Sequence, residues 1–253
     1  MRVRKALWIC CGVALLAACA LPLVSETQLE VESANQFQKM RGQMPVATDA
    51  ATRRYVNCVA NAIIAELEPP YSDRLWEIEV FDEDQLNAFA MPGGKIGVFT
   101  GIFKAAKTQD QLAAVIGHEV AHVTQHHALE RTNRELTQEI GIVGASAVLG
   151  GNRNMADLIR MGAQIGLSLP YGRGQESEAD IVGLKYMADA GFDPRAAVQL
   201  WKNMEAQNDG APPEWLSTHP SSDTRISRLI EALPEALERY NAARAAGKVP
   251  RCR

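Results

Sequence analysis

Two periods run through the hydrophobic and polar positions of the chain. Between residues 47 and 67, Tyr55, Val59, Ala62 and Ile63 recur at helical spacing. This predicts an amphipathic helix, ended by Pro69 and Pro70. Trp76, Ile78 and Val80 then alternate with Glu77 and Glu79, the pattern of a half-buried strand. Residues 87–91 and 95–99 flank Pro92, Gly93 and Gly94 and read as two short extended pieces around a turn. Beyond Thr108 the spacing is helical. Residues 110–129 predict one helix, with Thr108 as N-cap and Gln111 three positions on. The apolar, glycine-containing run 140–149 is too short to span a bilayer and predicts part of a buried helical hairpin. Residues 154–168, 175–190, 194–207, 221–233 and 234–246 predict five more helices. No 34-residue period appears, so no helical-repeat array is expected.

The N-terminus has another character. Arg2, Arg4 and Lys5 precede an apolar run from Ala6 to Ala18. As a helix this run spans about 20 Å, against a hydrocarbon core of about 30 Å. It therefore reads as a signal peptide over residues 1–18. The run closes on Leu16, Ala17, Ala18 and Cys19, which resembles the bacterial lipobox, whose cysteine becomes the lipidated first residue. Residues 19–45 are polar and weakly patterned, and predict a lipidated tether followed by a short helix. The domain proper is expected over residues 46–253.

Composition narrows the class. The chain has 253 residues, 47% hydrophobic and 22% charged, an ordinary globular balance. The net charge is −4, and about −7 without the three basic leader residues. An acidic body without a basic stripe excludes nucleic acid as the expected partner. Of five cysteines, Cys10 and Cys11 leave with the leader and Cys19 is acylated. Cys58 and Cys252 remain, and in an oxidising compartment they predict one disulfide.

Four of the five histidines lie between positions 118 and 127. His118, Glu119 and His122 form His-Glu-x-x-His within an apolar helix. His118 and His122 share a face one turn apart, so both imidazoles can reach one metal ion, whereas Glu119 is rotated from it. A catalytic zinc takes three protein ligands and keeps one position open. Glu176 and Asp180, four apart, share a helical face, and Glu178 is rotated about 200° from Glu176. Glu176 is the expected third ligand. Asp180 is the expected hydrogen-bond partner of a ligating histidine, and Glu178 a solvated acid. His126 and His127 read as structural or exposed.

His-Glu-x-x-His followed about 50 residues later by Glu-x-x-Ala-Asp resembles the HtpX and CAAX-prenyl-endoprotease family of gluzincin zinc metallopeptidases. Residues 87–94, residues 171–175, and the element Ser217-Thr218-His219-Pro220 with Arg225 resemble further stretches of that family. Membrane members carry transmembrane helices and none is expected here, so the chain resembles the small periplasmic lipoprotein branch. The resemblance implies an α+β, predominantly helical zincin-type fold, with a small mixed sheet beside the active-site helix. It implies one zinc per chain and peptide-bond hydrolysis, with Glu119 as general base. His219 is the expected oxyanion donor. The resemblance also allows it to approach the zinc as an extra ligand in a resting state.

Gly94, Lys95, Ile96, Gly97 and Val98 are expected to present a free strand edge to an extended polypeptide substrate. Ala20 after Cys19 points to an outer-membrane anchor facing the periplasm, and to the outer-membrane assembly machinery as a partner. A membrane-tethered chaperone or assembly factor with a structural metal is the alternative. It leaves Glu119 without a purpose.

Overall fold

A computed structural model describes residues 23–147, 170–207, 214–219 and 223–252. The predicted leader, Cys19 and the helix expected over 154–168 lie outside the described residues. Eight helices are described: α1 (Glu26–Gln43), α2 (Ala50–Ile64), α3 (Gln109–Thr124), α4 (His127–Ala147), α5 (Arg173–Asp189), α6 (Arg195–Glu205), α7 (Glu214–Thr218) and α8 (Asp223–Ala245). Three strands, β1 (Glu77–Phe81), β2 (Ala88–Met91) and β3 (Lys95–Phe99), complete this mostly helical α+β architecture.

The sheet is mixed, in the order β1-β3-β2. β3 runs parallel to β1 and antiparallel to β2. Side chains alternate across it. Val80, Ala88, Ala90, Ile96 and Val98 enter the main core, while Phe81, Phe89, Met91 and Phe99 form a second cluster with Phe37 of α1. The sheet is thus covered on both faces, and all five residues of β3 are buried.

This topology corrects the expected substrate strand. Residues Gly94, Lys95, Ile96, Gly97 and Val98 do not offer a free edge, because β3 is the central strand and carries a ladder on each side. A short turn at Gly93 and Gly94 places β2 beside β3, so β2 is an edge strand; β1 is the other, and residues 45–47 bond along it.

α3 is the axis of the molecule: every residue from Gln111 to Thr124 is buried. The Thr108 hydroxyl accepts from the Gln111 amide, as its N-cap position requires, and Gln111 accepts from the Lys107 amide. α2, α5 and α6 pack around α3 through Val59, Ile63, Leu184, Met187, Leu200 and Met204. Among the described residues no helix is long and apolar enough to cross a membrane.

Three expectations are revised. The stretch read as a tether and short helix contains the 18-residue α1, started by a Ser25–Gln28 capping box and docked through Leu29, Ser33 and Phe37. The helix predicted over 110–129 stops at Thr124. His126 takes a left-handed conformation with φ of 56°, and α4 starts afresh at His127. Residues 221–233 and 234–246 form one helix, α8, with Pro234 inside it. The proline costs a backbone bond, but Leu229 and Ala236 on either side of it are buried in the main core, so packing holds the helix together.

Cys58 of α2 and Cys252 are joined in a disulfide across 194 positions of sequence. The tail is also held by Gln109 at the start of α3, which accepts from the Cys252 amide and donates to the Pro250 carbonyl. Closing so long a loop stabilises by at most about 5 kcal/mol in the chain-entropy treatment. The Cys252→Ser protein is therefore expected to unfold at lower denaturant concentration than the parent, and reduction of the parent should reproduce that shift. Free thiols at both positions in unreduced peptide maps would contradict the pairing.

Candidate active site

α3 and α5 cross with almost nothing between them. A Cβ on Gly183 would lie 2.6 Å from the His118 amide nitrogen, and one on Gly117 would lie 2.8 Å from the Gly183 carbonyl oxygen. Only hydrogen fits at both positions. This contact brings the N-terminal turns of α5 against the histidine face of α3.

Four side chains converge there. His118 Nε2 lies 3.1 Å from His122 Nε2 and 3.2 Å from His219 Nδ1. Glu176 reaches His118 Nε2 at 3.6 Å, His122 Nε2 at 3.5 Å and His219 Nδ1 at 3.0 Å. All four residues are buried, and one ligand atom from each falls within 4.8 Å of the others. The donor set fits a metal ion. Three imidazole nitrogens and a carboxylate oxygen face one small volume, where a proton could bridge only one pair of nitrogens at a time. A cation at the centre satisfies them all.

The surroundings set the charge state. Burial drives His122 well below the usual histidine range, reinforced by His118, His219, His127 and Arg131. That is the neutral form a metal ligand needs. Burial would also depress His118, but the Asp180 hydrogen bond and the charges of Glu176 and Asp180 outweigh it, and the net direction is up. Asp180 Oδ1 lies 3.1 Å from His118 Nδ1. Arg225 of α8 grips Asp180 with two 2.7 Å bonds and reaches Glu176 Oε2 at 2.7 Å. Burial pushes both carboxyls up. For Glu176 the neighbouring His219, His118 and Arg225 reverse this, and for Asp180 Arg225 and His118 do, so both stay ionised below their ordinary range.

Glu119 stands beside the cluster. Its Oε1 accepts a 2.9 Å bond from the Trp215 indole N–H and lies 3.4 Å from His219 Nε2. Glu119 and His219 line a cleft together with Asn87 and with Ala88, Phe89 and Ala90 of β2. Glu178 does not join the cluster; its side chain is 54% exposed. The helical phase thus separates Glu176 from Glu178 as expected.

The structure adds residues that sequence reasoning did not assign. Trp215 holds Glu119 and stacks on His219 at 4.9 Å. Tyr171 stacks on His122 at 3.8 Å, and burial pushes its hydroxyl up to about 12. His127 is buried within 2.9 Å of His122. Of the two expected roles, structural or exposed, His127 takes the structural one; its contact with His122 cannot be read from helical phase because the turn at Gln125 and His126 breaks the helix before it. His126 is the outward one, 3.0 Å from the Tyr71 hydroxyl. A left-handed histidine leaves no mark in the apolar pattern.

The sequence pattern of peptidase family M48 matches residues 50–233, which hold this whole constellation. The chain belongs to peptidase family M48. Individual M48 relatives agree. The chain is 41% identical over 189 residues to the mitochondrial metalloendopeptidase OMA1 of Schizosaccharomyces pombe, covering 73% of this chain and 54% of that protein. It is 31% identical over 221 residues to human mitochondrial metalloendopeptidase OMA1, covering 83% and 42%. It is also 31% identical over 201 residues to the beta-barrel assembly-enhancing protease of Yersinia pestis, covering 75% and 40%. The matched region thus spans about half or less of the length of these curated relatives.

Two outcomes test the architecture. Gly183→Ala must force α5 away from α3, so loss of metal binding and destabilisation by about 1–3 kcal/mol are expected; equilibrium unfolding and metal analysis check both. Arg225→Met should destabilise the apoprotein by about 3–5 kcal/mol at pH 7, because two buried carboxylates lose their partner. Their lowered pKa values contribute stability above the unfolded carboxyl range of about 3.9–4.3, lost as pH falls through the folded values. The gap between parent and variant should therefore narrow below about pH 4, as read from denaturant midpoints across pH.

Proposed function

We propose that this M48 member is a zinc-dependent endopeptidase of the bacterial cell envelope that cleaves unfolded or misassembled envelope polypeptides. The observation that carries the reading is the convergence of His118, His122 and Glu176 on one buried point, with Glu119 on the wall of the adjoining cleft. Zinc, when bound by those three residues, supplies Lewis acidity to polarise the scissile carbonyl and to ease deprotonation of water.

The chain's own residues do the rest. Glu119 takes the proton of the attacking water and passes it to the leaving amine. The Trp215 N–H holds Oε1 of Glu119, leaving Oε2 for that exchange. Asp180, fixed by Arg225, orients His118 through Nδ1. His219 is the candidate donor to the tetrahedral oxyanion. Its Nδ1 lies 3.2 Å from His118 Nε2 and 3.0 Å from Glu176 Oε1, which supports reading this as a resting arrangement. Donation to substrate requires α7 and His219 to withdraw from the cluster.

An extended substrate adds to the sheet at β2, the edge strand that lines the cleft, in place of β3. Pairing through backbone groups reads little sequence, which suits unfolded chains. Lipidation at Cys19 followed by Ala20 supports an outer-membrane anchor, with more than one acyl chain giving stable attachment. Because Val24 is already buried against α4 and its amide donates to Asn133, only about four residues, at most about 14 Å of chain, separate the anchor from the folded body. The Yersinia pestis relative is named for beta-barrel assembly, which supports the outer-membrane assembly machinery as a partner.

One observation favours a second reading. Four protein donors in one cluster is the count of a closed structural site, which would suit a tethered chaperone. That reading requires Glu119→Gln to retain the cellular role.

Glu119→Gln is expected to keep bound zinc and to lose about 10²–10⁴-fold in peptidase rate. Glu176→Ala is expected to lose the metal. Metal analysis and peptide hydrolysis of the purified variants check this, and loss of zinc from Glu119→Gln would place Glu119 among the ligands. Envelope proteins that accumulate in Glu119→Gln cells would identify the substrates.

A further inference from the structure

His122 turns Nε2 toward the cluster, 3.1 Å from His118 Nε2 and 3.5 Å from Glu176. Its other nitrogen faces away, with Nδ1 lying 2.9 Å from Nδ1 of His127. His127 Nε2 lies in turn 3.2 Å from Glu178 Oε2. Both histidines are 1% exposed, so neither ring nitrogen can turn to bulk water.

These contacts admit one consistent placement of protons. A metal takes the lone pair of Nε2, so the ring hydrogen of neutral His122 must sit on Nδ1. That N–H must donate, and the atom facing it is His127 Nδ1. His127 Nδ1 must therefore carry a lone pair, which puts the His127 hydrogen on Nε2. That hydrogen points at Glu178, whose carboxylate only accepts. Any other arrangement sets two N–H groups, or two lone pairs, against each other in a buried contact.

The chain path explains how two nearby histidines come to meet edge to edge. The left-handed His126 ends α3, and His127 opens α4 back toward His122. Gln175 of α5 fixes the start of α4 by donating to the His127 carbonyl and to Glu130. Tyr171 covers a face of the His122 ring at 3.8 Å. Arg131 lies 3.8 Å from the centre of the Tyr171 ring. Two contacts that close cannot share one face of the ring, so Tyr171 is held between His122 and Arg131.

We infer that His127 and Glu178 are positioning residues for the metal: Glu178 fixes the tautomer of His127, and His127 fixes the tautomer and ring orientation of His122. The inference rests on reading His122 as a metal ligand. It gives His122 the support that Asp180 gives His118, through an intervening imidazole. It also gives a purpose to the acid that helical phase turns away from the cluster.

The test is zinc affinity of the full chain, measured by competition of the apoprotein with a chromogenic chelator, together with thermal unfolding of each apoprotein. His127→Phe keeps bulk and removes the acceptor. His127→Asn places an amide oxygen where Nδ1 stood, so it can accept from His122. Glu178→Ala leaves His127 without its anchor. Loss of a group that supports a ligand typically costs about 10–100-fold in metal affinity. His127→Phe should fall in that range, His127→Asn should recover most of the loss, and Glu178→Ala should lie between.

Long-range proton–nitrogen spectra of the zinc-loaded parent should show His122 protonated on Nδ1 and His127 on Nε2. Zinc bound as tightly by His127→Phe as by the parent, or the opposite tautomer at His127, overturns the inference while leaving the metal site standing. If His127→Phe fails to fold, Glu178→Ala and the tautomer spectra decide alone. A parent that binds no zinc overturns the metal reading and this inference together.

Discussion

Two helices that touch backbone to backbone set the whole site. At the crossing of α3 and α5, Gly117 and Gly183 leave no room for a side chain. The separation between the histidines of one helix and the carboxylates of the other follows from that contact. A wider crossing would leave Glu176 and Asp180 out of reach of His118 and His122. The burial of α3 on all sides by α2, α5, α6 and the sheet holds the contact closed. Buried carboxylates here have partners: Asp180 accepts from Arg225 and lies 3.1 Å from His118 Nδ1, and Glu119 accepts from Trp215. An unpaired carboxylate at this depth would cost several kcal/mol.

The same crossing explains what could be read from the residues alone. His118, Glu119 and His122 are local on one helix, so spacing is enough to place them. Glu176 and Asp180 were legible because their phase on α5 is preserved by an unbroken helix. The disulfide was legible because Cys58 and Cys252 are what remains once Cys10 and Cys11 of the predicted leader and the expected lipid site Cys19 are set aside. His127 was not. Its position depends on one left-handed residue, His126, and helical phase cannot be carried across it. Trp215 reaches Glu119 from a five-residue helix whose direction no periodicity reports.

The sheet failed for another reason. Alternation shows which faces of a strand are buried, but not which neighbour it pairs with. β1 and β3 pair in parallel, although β2 lies between them in sequence. This long-range pairing puts β3 at the centre and gives an edge to β2. α1 was also hidden, because it buries only Leu29, Ser33 and Phe37 across 18 residues. So sparse a stripe resembles a polar linker. Its docking matters to the site, since Met40 of α1 lines the cleft beside Glu119, alongside β2.

The geometry points to a site for a single zinc ion where α3, α5 and the residue after α7 converge. Anomalous diffraction across the zinc absorption edge, from crystals of the zinc-loaded protein, tests it most directly. One peak per chain is expected, about 2.0–2.2 Å from Nε2 of His118, Nε2 of His122 and a carboxylate oxygen of Glu176. A peak bonded to Glu119 or Glu178 in place of Glu176, or no peak between the two helices, would contradict it.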